Sequence, residues 1–424
     1  MKILHTSDWH IGHQLYNYDR TPDHREALRA IAAIAAENAV DAILVSGDIF
    51  HVANPSAASQ KQLSQALAEI RRRCPKARVI LAAGNHDGAS RLEAYRTLLS
   101  DLCIDTVGNA ADVENPEAIA ADLVTDIGSG YVLTLPYLHP RQLNEGLAEA
   151  IDAAIALLPD ATKPVVIMAH APVFGGNFSG HDGDDRVVGG VEIVPAQVFG
   201  TVADYIALGH IHCPQDVRGT GGRVRYSGSP LAVGFDEQYG HSVTIVEVSA
   251  RGAEVVRREI PLPCPRPLVT LGGADGQPLK DIIKQLKRVV KLRKKGTDDA
   301  LKEAAELLAP ESFVRVVALL GEDEYLKPDA EAQLRELVCD CGCNFCLLQT
   351  RRAQMKKSEG VSTLTVSEFR QMSPRDLAAD YASRNGAALT ETLLALFAEA
   401  AAAADSIDCD DDDFETKTPT PTTD

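Results

Sequence analysis

No apolar run in this 424-residue chain approaches the ~20 residues needed to span a bilayer. The chain passes from Met1-Lys2 directly into a strand-like stretch, without the basic segment and long apolar core of a secretory leader. A cytoplasmic protein with no membrane association is therefore expected. Also missing is any Gly-x-x-x-x-Gly-Lys-Ser/Thr loop, which removes ATP chemistry from this chain. The nine cysteines are odd in number and unevenly placed, so they do not read as a secreted disulfide framework, and reduced thiols are expected. Positive charge is scarce, with 42 Lys and Arg against 60 Asp and Glu and a net charge of −18. That argues against broad nonspecific coating of DNA but leaves room for a local basic groove. The deficit is uneven. Residues 405–424 hold eight acids against Lys417, contributing −7, and this acidic Thr/Pro-rich tail is expected to be disordered.

What is present is a repeated construction. Val79-Ile80-Leu81-Ala82-Ala83 is a short apolar run of buried-strand character, and it delivers Gly84-Asn85-His86-Asp87. Lys2 to Thr6 likewise leads into Ser7-Asp8-Trp9-His10, and Ala42 to Val45 into Ser46-Gly47-Asp48. Val165 to Ala169 ends at His170, and Tyr205 to Leu208 runs into Gly209-His210-Ile211-His212. One histidine at a strand end is ordinarily core or surface; five such tips in one chain are a poor fit to chance. Strand C-termini along one edge of a buried sheet are where α/β folds place ligands. Seven donors (Asp8, His10, Asp48, Asn85, His170, His210 and His212) exceed the needs of one ion with open positions. They suit two ions sharing a carboxylate, and mixed imidazole and oxygen donors favour Mn, Fe or Zn over Ca or Mg. Such a pair activates water and clamps a phosphoryl group.

The rest of the chain organises around these strands. Amphipathic helices are expected over 20–38, from Pro55 through Arg73, and from Pro140 to Leu158. Strand–helix–strand alternation up to Leu81 indicates parallel strands with helical crossovers, and 213–260 reads as antiparallel strands. The expected fold is α/β, two packed mixed β-sheets flanked by helices. The loop 175–190, with His181 and Asp182, reads as solvated. Pro261, Pro263, Pro265 and Pro267 form a stiff connector that closes a domain over 1–262. Beyond it, 268–350 reads as a small α+β domain. It has strands at Leu268–Leu271, Phe313–Leu320 and Cys339–Leu348, and helices at Asp281–Lys295 and Pro328–Leu337. Residues 351–404 are expected to be helical, ahead of the tail.

The motifs His5-Thr6-Ser7-Asp8-Trp9-His10, Gly47-Asp48-Ile49-Phe50, Gly84-Asn85-His86-Asp87 and Gly209-His210-Ile211-His212, with Ala169-His170-Ala171 and Tyr226-Ser227-Gly228-Ser229-Pro230, resemble the calcineurin-like metallophosphoesterase superfamily. Within it they resemble the SbcD family of nuclease subunits, over residues 1 to about 260. The resemblance implies double-strand exonuclease and single-strand or hairpin endonuclease activity in DNA repair and recombination, with two Mn2+ ions, a homodimer and an SbcC-type ABC ATPase partner. The alternative is a phosphoesterase of the same superfamily acting on nucleotides or phosphoproteins. On the family pattern Asp48 bridges the ions; Asp8, His10 and His212 complete one site, and Asn85, His170 and His210 the other. His86, surplus to that count, is expected to protonate the departing oxygen. Asp87 is expected to orient the loop or His86. His51 stands where bacterial members commonly carry Asp and archaeal ones His, and it is a second candidate catalytic residue that could seat duplex DNA. The small α+β domain would cap the DNA.

Two clusters remain. Lys280, Lys284, Lys287, Arg288, Lys291, Arg293, Lys294 and Lys295 make a basic stripe, readable as a nucleic-acid contact or as a solvated helix face. Cys339, Cys341, Cys343 and Cys346 invite a zinc reading. In a strand, however, the first three would share one face, and core thiols are expected. The helices at 366–403 carry Leu389, Leu393, Leu396 and Phe397 at helical spacing, an apolar stripe suited to the ATPase partner.

Overall fold

The computed structural model describes residues 1–110, 112–139, 142–176, 193–321 and 324–352. His181 and Asp182, the helices expected over 366–403 and the tail from 405 lie outside the described residues.

The apolar runs form two six-stranded sheets. In the first, Lys2–Thr6, Ala42–Ser46, Arg78–Ala82 and Ile104–Val107 lie parallel, with His5 opposite Leu44 and Val45 opposite Leu81. In the second, Tyr131–Leu135, Val165–His170, Tyr205–Gly209 and Val224–Tyr226 are parallel, with Gly209 opposite His170. The period-2 alternation of a strand decides which core each residue enters. Ile3, Leu44, Ile80, Val166 and Ala207 meet between the sheets. Their neighbours Leu4, Ile43, Val45 and Val79 pack outward beneath the helices Thr21–Glu37 and Ala57–Arg73. Leu133, Ile167 and Ile206 do the same under Glu145–Ala156. Both faces are covered, which is why these strands are almost continuously apolar.

Several expectations need correction. The segment 213–260 is not one antiparallel set. Val224–Tyr226 runs parallel to Tyr205–Gly209, whereas the hairpin of Ser242–Val248 and Val255–Pro261 crosses to the first sheet beside Lys2–Thr6. Pro55 precedes its helix; Ser56 is the cap, accepting from Ser59 N at 3.1 Å. The helix expected from Pro140 begins at Glu145, capped by Asn144. Cys339 to Leu348 is not a continuous strand. The helix Ala330–Asp340 extends to bury Val338 and stops at Gly342, whose φ of +64° suits glycine, and the strand begins at Asn344. Cys339 thus lies in the last helical turn, exposed, while Cys341 and Cys343 are buried in the turn that follows.

Residues 268–352 form a third sheet, wholly parallel. Phe313–Leu320 is flanked by Leu268–Leu271 and Gln277–Pro278 on one side and Asn344–Arg352 on the other. It packs with Leu279–Lys295, Ala330–Asp340 and an unanticipated helix, Asp298–Leu307, around Ile282, Leu286, Val289, Leu334 and Val338. The third sheet is fastened to the two-sheet body. Phe313 is fully buried against Leu15 and Phe235, with the guanidinium groups of Arg20 and Arg266 5.3 and 4.9 Å from its ring centroid. Tyr18 Oη donates to the Phe345 carbonyl at 3.0 Å, and Arg266 bridges to Asp23 at 2.7 Å. Among the described residues no helix is long and apolar enough to cross a membrane. Phe313→Ala removes the ring shared by both bodies and should destabilise the chain by ~3–5 kcal/mol. A chemical-denaturation midpoint equal to that of the wild type would show that Phe313 is not the fastening.

Candidate metal centre

The five strand tips converge. Gly47 O accepts from Asp8 N at 2.9 Å, Asp48 O from His10 N at 3.0 Å, and Ala207 O from Ser46 Oγ at 3.0 Å, so the two sheets meet at their C-terminal ends. Delivering so many side chains to one point strains the backbone. Asp8 (φ 52°), His10 (44°), Asp48 (50°) and His210 (104°) all lie at positive φ. Aspartate and histidine tolerate that region better than most residues do. Gly47, at φ 89°, allows the close approach: a Cβ there would stand 2.2 Å from His170 Nδ1.

Asp8, His10, Asp48, His170, His210 and His212 are buried, and Asn85 is half-buried. Candidate ligand atoms of Asp8, His10 and His212 lie within 4.8 Å of one another, as do those of Asp8, Asp48 and His170. Acceptors face acceptors here. His170 donates Nδ1–H to the Ser46 carbonyl at 2.9 Å, so in the neutral imidazole Nε2 is the lone pair. That Nε2 lies 2.9 Å from Asn85 Oδ1 and 3.5 Å from Asp48 Oδ2. His210 Nδ1 approaches the same Asn85 oxygen at 3.2 Å. On the other side, His212 Nε2 is 3.1 Å from His10 Nε2, which is 3.7 Å from Asp48 Oδ2. Asp48 Oδ2 therefore stands between the two sets. No Lys or Arg pairs with Asp8 or Asp48 among the described residues, and His10 Nδ1 is buried without a partner. Clustered lone pairs of mixed nitrogen and oxygen type, short of positive charge, fit divalent transition metals.

The electrostatics agree. Burial, reinforced by His212, His86, His51 and His13, holds His10 well below the usual imidazole range, in the neutral form a ligand needs. Burial pushes the Asp8 carboxyl up, against the pull of His170 and His212. Burial lowers His212 too, but the hydrogen bond and charge of Glu237, with Asp8 and Asp48, outweigh it and raise the group to about 9. In the chain alone a proton on His212 supplies countercharge that a bound cation would replace.

His86 lies beside this cradle. Its backbone N–H donates to Asp48 Oδ1 at 2.9 Å and its Nδ1–H to the His51 carbonyl at 3.0 Å, which leaves Nε2 as the nitrogen for a substrate. The His51 ring stacks on His86 with centroids 5.8 Å apart. Asp87 accepts from the N–H groups of Gly84, Ile49 and Phe50 at 2.8, 3.0 and 2.8 Å and so orders the loop rather than the His86 ring. Burial and the Asp48 charge raise its carboxyl to about 6 despite those three bonds. Glu237 was not legible in the sequence. It accepts from His212 Nδ1 at 2.7 Å, the carboxylate–histidine arrangement that orients metal ligands. It follows the apolar stretch Leu231-Ala232-Val233-Gly234-Phe235, but that stretch forms no strand, so the strand-tip pattern does not mark it. Gly47→Ala should lower stability by more than ~1 kcal/mol and displace His170. Its unfolding midpoint and His170 imidazole NMR signals check this; an unchanged spectrum would mean the turn has slack.

The calcineurin-like phosphoesterase family matches residues 1–214. Proteins named as the SbcD component of the SbcCD nuclease are similar over much of the chain. The one from Rhodobacter capsulatus is 36% identical over 313 residues, covering 68% of this chain and 76% of that protein. The one from Bacillus subtilis is 32% identical, covering 65% and 73%, and the one from Escherichia coli K12 is 30% identical, covering 64% and 71%. This chain belongs to the calcineurin-like phosphoesterases and, within them, to the SbcD family of nuclease subunits.

Proposed function

We propose that the chain hydrolyses DNA phosphodiester bonds at this centre with two Mn2+ ions, as a double-strand exonuclease and single-strand or hairpin endonuclease in DNA repair and recombination. The observation that carries the reading is the position of Asp48 Oδ2, 3.7 Å from His10 Nε2 and 3.5 Å from His170 Nε2. One carboxylate oxygen thus faces both ligand sets. Asp8, His10 and His212 would hold one ion, Asn85, His170 and His210 the other, and Asp48 would serve both. Two such ions would supply an activated water and neutralise charge developing on the phosphoryl oxygens.

The chain's own groups do the rest. Starting as an imidazolium, His86 would hand its Nε2 proton to the departing oxygen and become neutral, while the His51 carbonyl holds Nδ1–H in place. The His51 ring, stacked on His86, limits how that imidazole turns, and His51 is the residue assigned to seat duplex DNA. Glu237 keeps the metal-facing nitrogen of His212 directed inward. In the helix Leu279–Lys295, Arg288 is spent on Glu303 and Arg293 on the Leu308 carbonyl, whereas Lys280, Lys284, Lys287, Lys291, Lys294 and Lys295 are exposed. Those six lysines suit phosphate contact, so the domain over 268–350 caps the DNA. Exposed Tyr95, Leu98 and Leu102 support a homodimer. The SbcC-type ABC ATPase partner is assigned to residues 366–403 on their apolar spacing, and the assembly is placed in the cytoplasm.

The test is Mn2+-dependent cleavage of hairpin, blunt-duplex and single-stranded DNA beside a generic phosphodiester. DNA cleavage is expected; turnover of the small ester without any DNA cleavage would favour a phosphoesterase acting on nucleotides or phosphoproteins. His86→Ala should lower cleavage by ~10²–10⁴-fold while elemental analysis still finds two ions. Loss of metal in that variant would make His86 a ligand. Asp48→Ala should empty both positions together, and retention of two ions would refute the bridge.

A further inference from the structure

The turn Phe235-Asp236-Glu237 touches the metal cradle on one side and the third sheet on the other. Toward the cradle, Glu237 Oε1 accepts from His212 Nδ1 at 2.7 Å and Oε2 from Val233 N at 3.1 Å. Toward the third sheet stands Arg315, buried in the strand Phe313–Leu320. It donates Nη1–H to Asp236 Oδ1 at 3.0 Å, Nη2–H to the Phe235 carbonyl at 3.2 Å and Nε–H to Thr270 Oγ1 at 3.1 Å. Its guanidinium also lies 5.2 Å from the Phe235 ring centroid.

We propose that Arg315 is a positioning residue for the metal centre, fixing His212 through Glu237. The proposal rests on the reading of the cradle as a metal site. A turn outside regular structure has several backbone arrangements available, and Glu237 reaches His212 in few of them. The planar fork of Arg315 holds a side chain and a carbonyl of that turn at once, a geometry a point charge cannot reproduce. Its own third bond, to Thr270, anchors the guanidinium in the third sheet. The path from sheet to imidazole is therefore short: Arg315, the Phe235-Asp236 peptide, Glu237 and His212. A third sheet displaced from the two-sheet body would carry the turn with it and swing His212 away from Asp8 and His10, with which it would hold one ion.

The experiment is a Mn2+ titration of the full chain, with free Mn2+ followed by electron paramagnetic resonance and the unfolding temperature measured without metal. Glu237→Gln should weaken one of two ions by ~10–100-fold. Arg315→Ala should weaken the same ion by roughly tenfold, the low end of that range. Because the two act in series, Arg315→Ala combined with Glu237→Gln should be little weaker than Glu237→Gln alone. Asp236→Asn, at a partly exposed side chain, tests the link should Arg315→Ala fail to fold, and it should weaken that ion as well. Unchanged Mn2+ affinity in both Arg315→Ala and Asp236→Asn, with only the unfolding temperature lowered, would overturn the proposal. So would simple additivity in the double variant. A wild-type chain that takes up no Mn2+ would instead sink the reading of the cradle, and this proposal with it.

Discussion

Two buried carboxylates held together with no Lys or Arg partner among the described residues are the constraint on which the rest depends. Ligand atoms of Asp8 and Asp48 lie within 4.8 Å of each other. At an effective dielectric of about 20, two full charges at that distance repel by roughly 3.5 kcal/mol. That is a sizeable part of the ~5–15 kcal/mol that separates folded from unfolded chains. The converging lone pairs of His170, His10 and Asn85 add to the demand for positive charge. His212 meets part of it by taking a proton, and the arrangement as a whole would be met by divalent cations.

Holding the acceptors in place falls to the sheets. Residues at positive φ cost of order 1–3 kcal/mol each, and four of the seven candidate ligands lie there. They persist because each follows a strand buried on both faces and is tied to its neighbours, Asp8 to Gly47 and His10 to Asp48 through the backbone and His210 N–H to the Asp8 carboxylate at 3.1 Å. Burial thus does two things at once: it fixes the geometry, and it removes the water that would otherwise solvate the carboxylates.

The strand tips could be read from the sequence because five apolar runs of β length each ended in Asp, Asn or His, and a buried parallel sheet leaves little freedom about where such ends point. Residues that act through a loop escaped. Glu237 sits in a turn outside any strand, and its contact with His212 joins residues 25 positions apart in the chain. Cys339, Cys341 and Cys343 misled, since spacing of two mimics a strand when a helix ends and a turn begins. The switch of the 242–261 hairpin to the first sheet was hidden for another reason: alternation sets a strand's faces, not its neighbour.

The third sheet contacts the turn that carries Glu237 as well as the two-sheet scaffold. Its fastening runs through Phe313, Arg266 and Arg315, and one of these reaches within a few bonds of a candidate ligand. The cradle is read as a dinuclear metal site. The most direct measurement is the stoichiometry of Mn2+ bound by the purified metal-free chain at neutral pH, by calorimetry with elemental analysis. The account predicts two ions per chain, bound with release of protons as His212 gives up its own. Fewer than two, or binding without proton release, would contradict it.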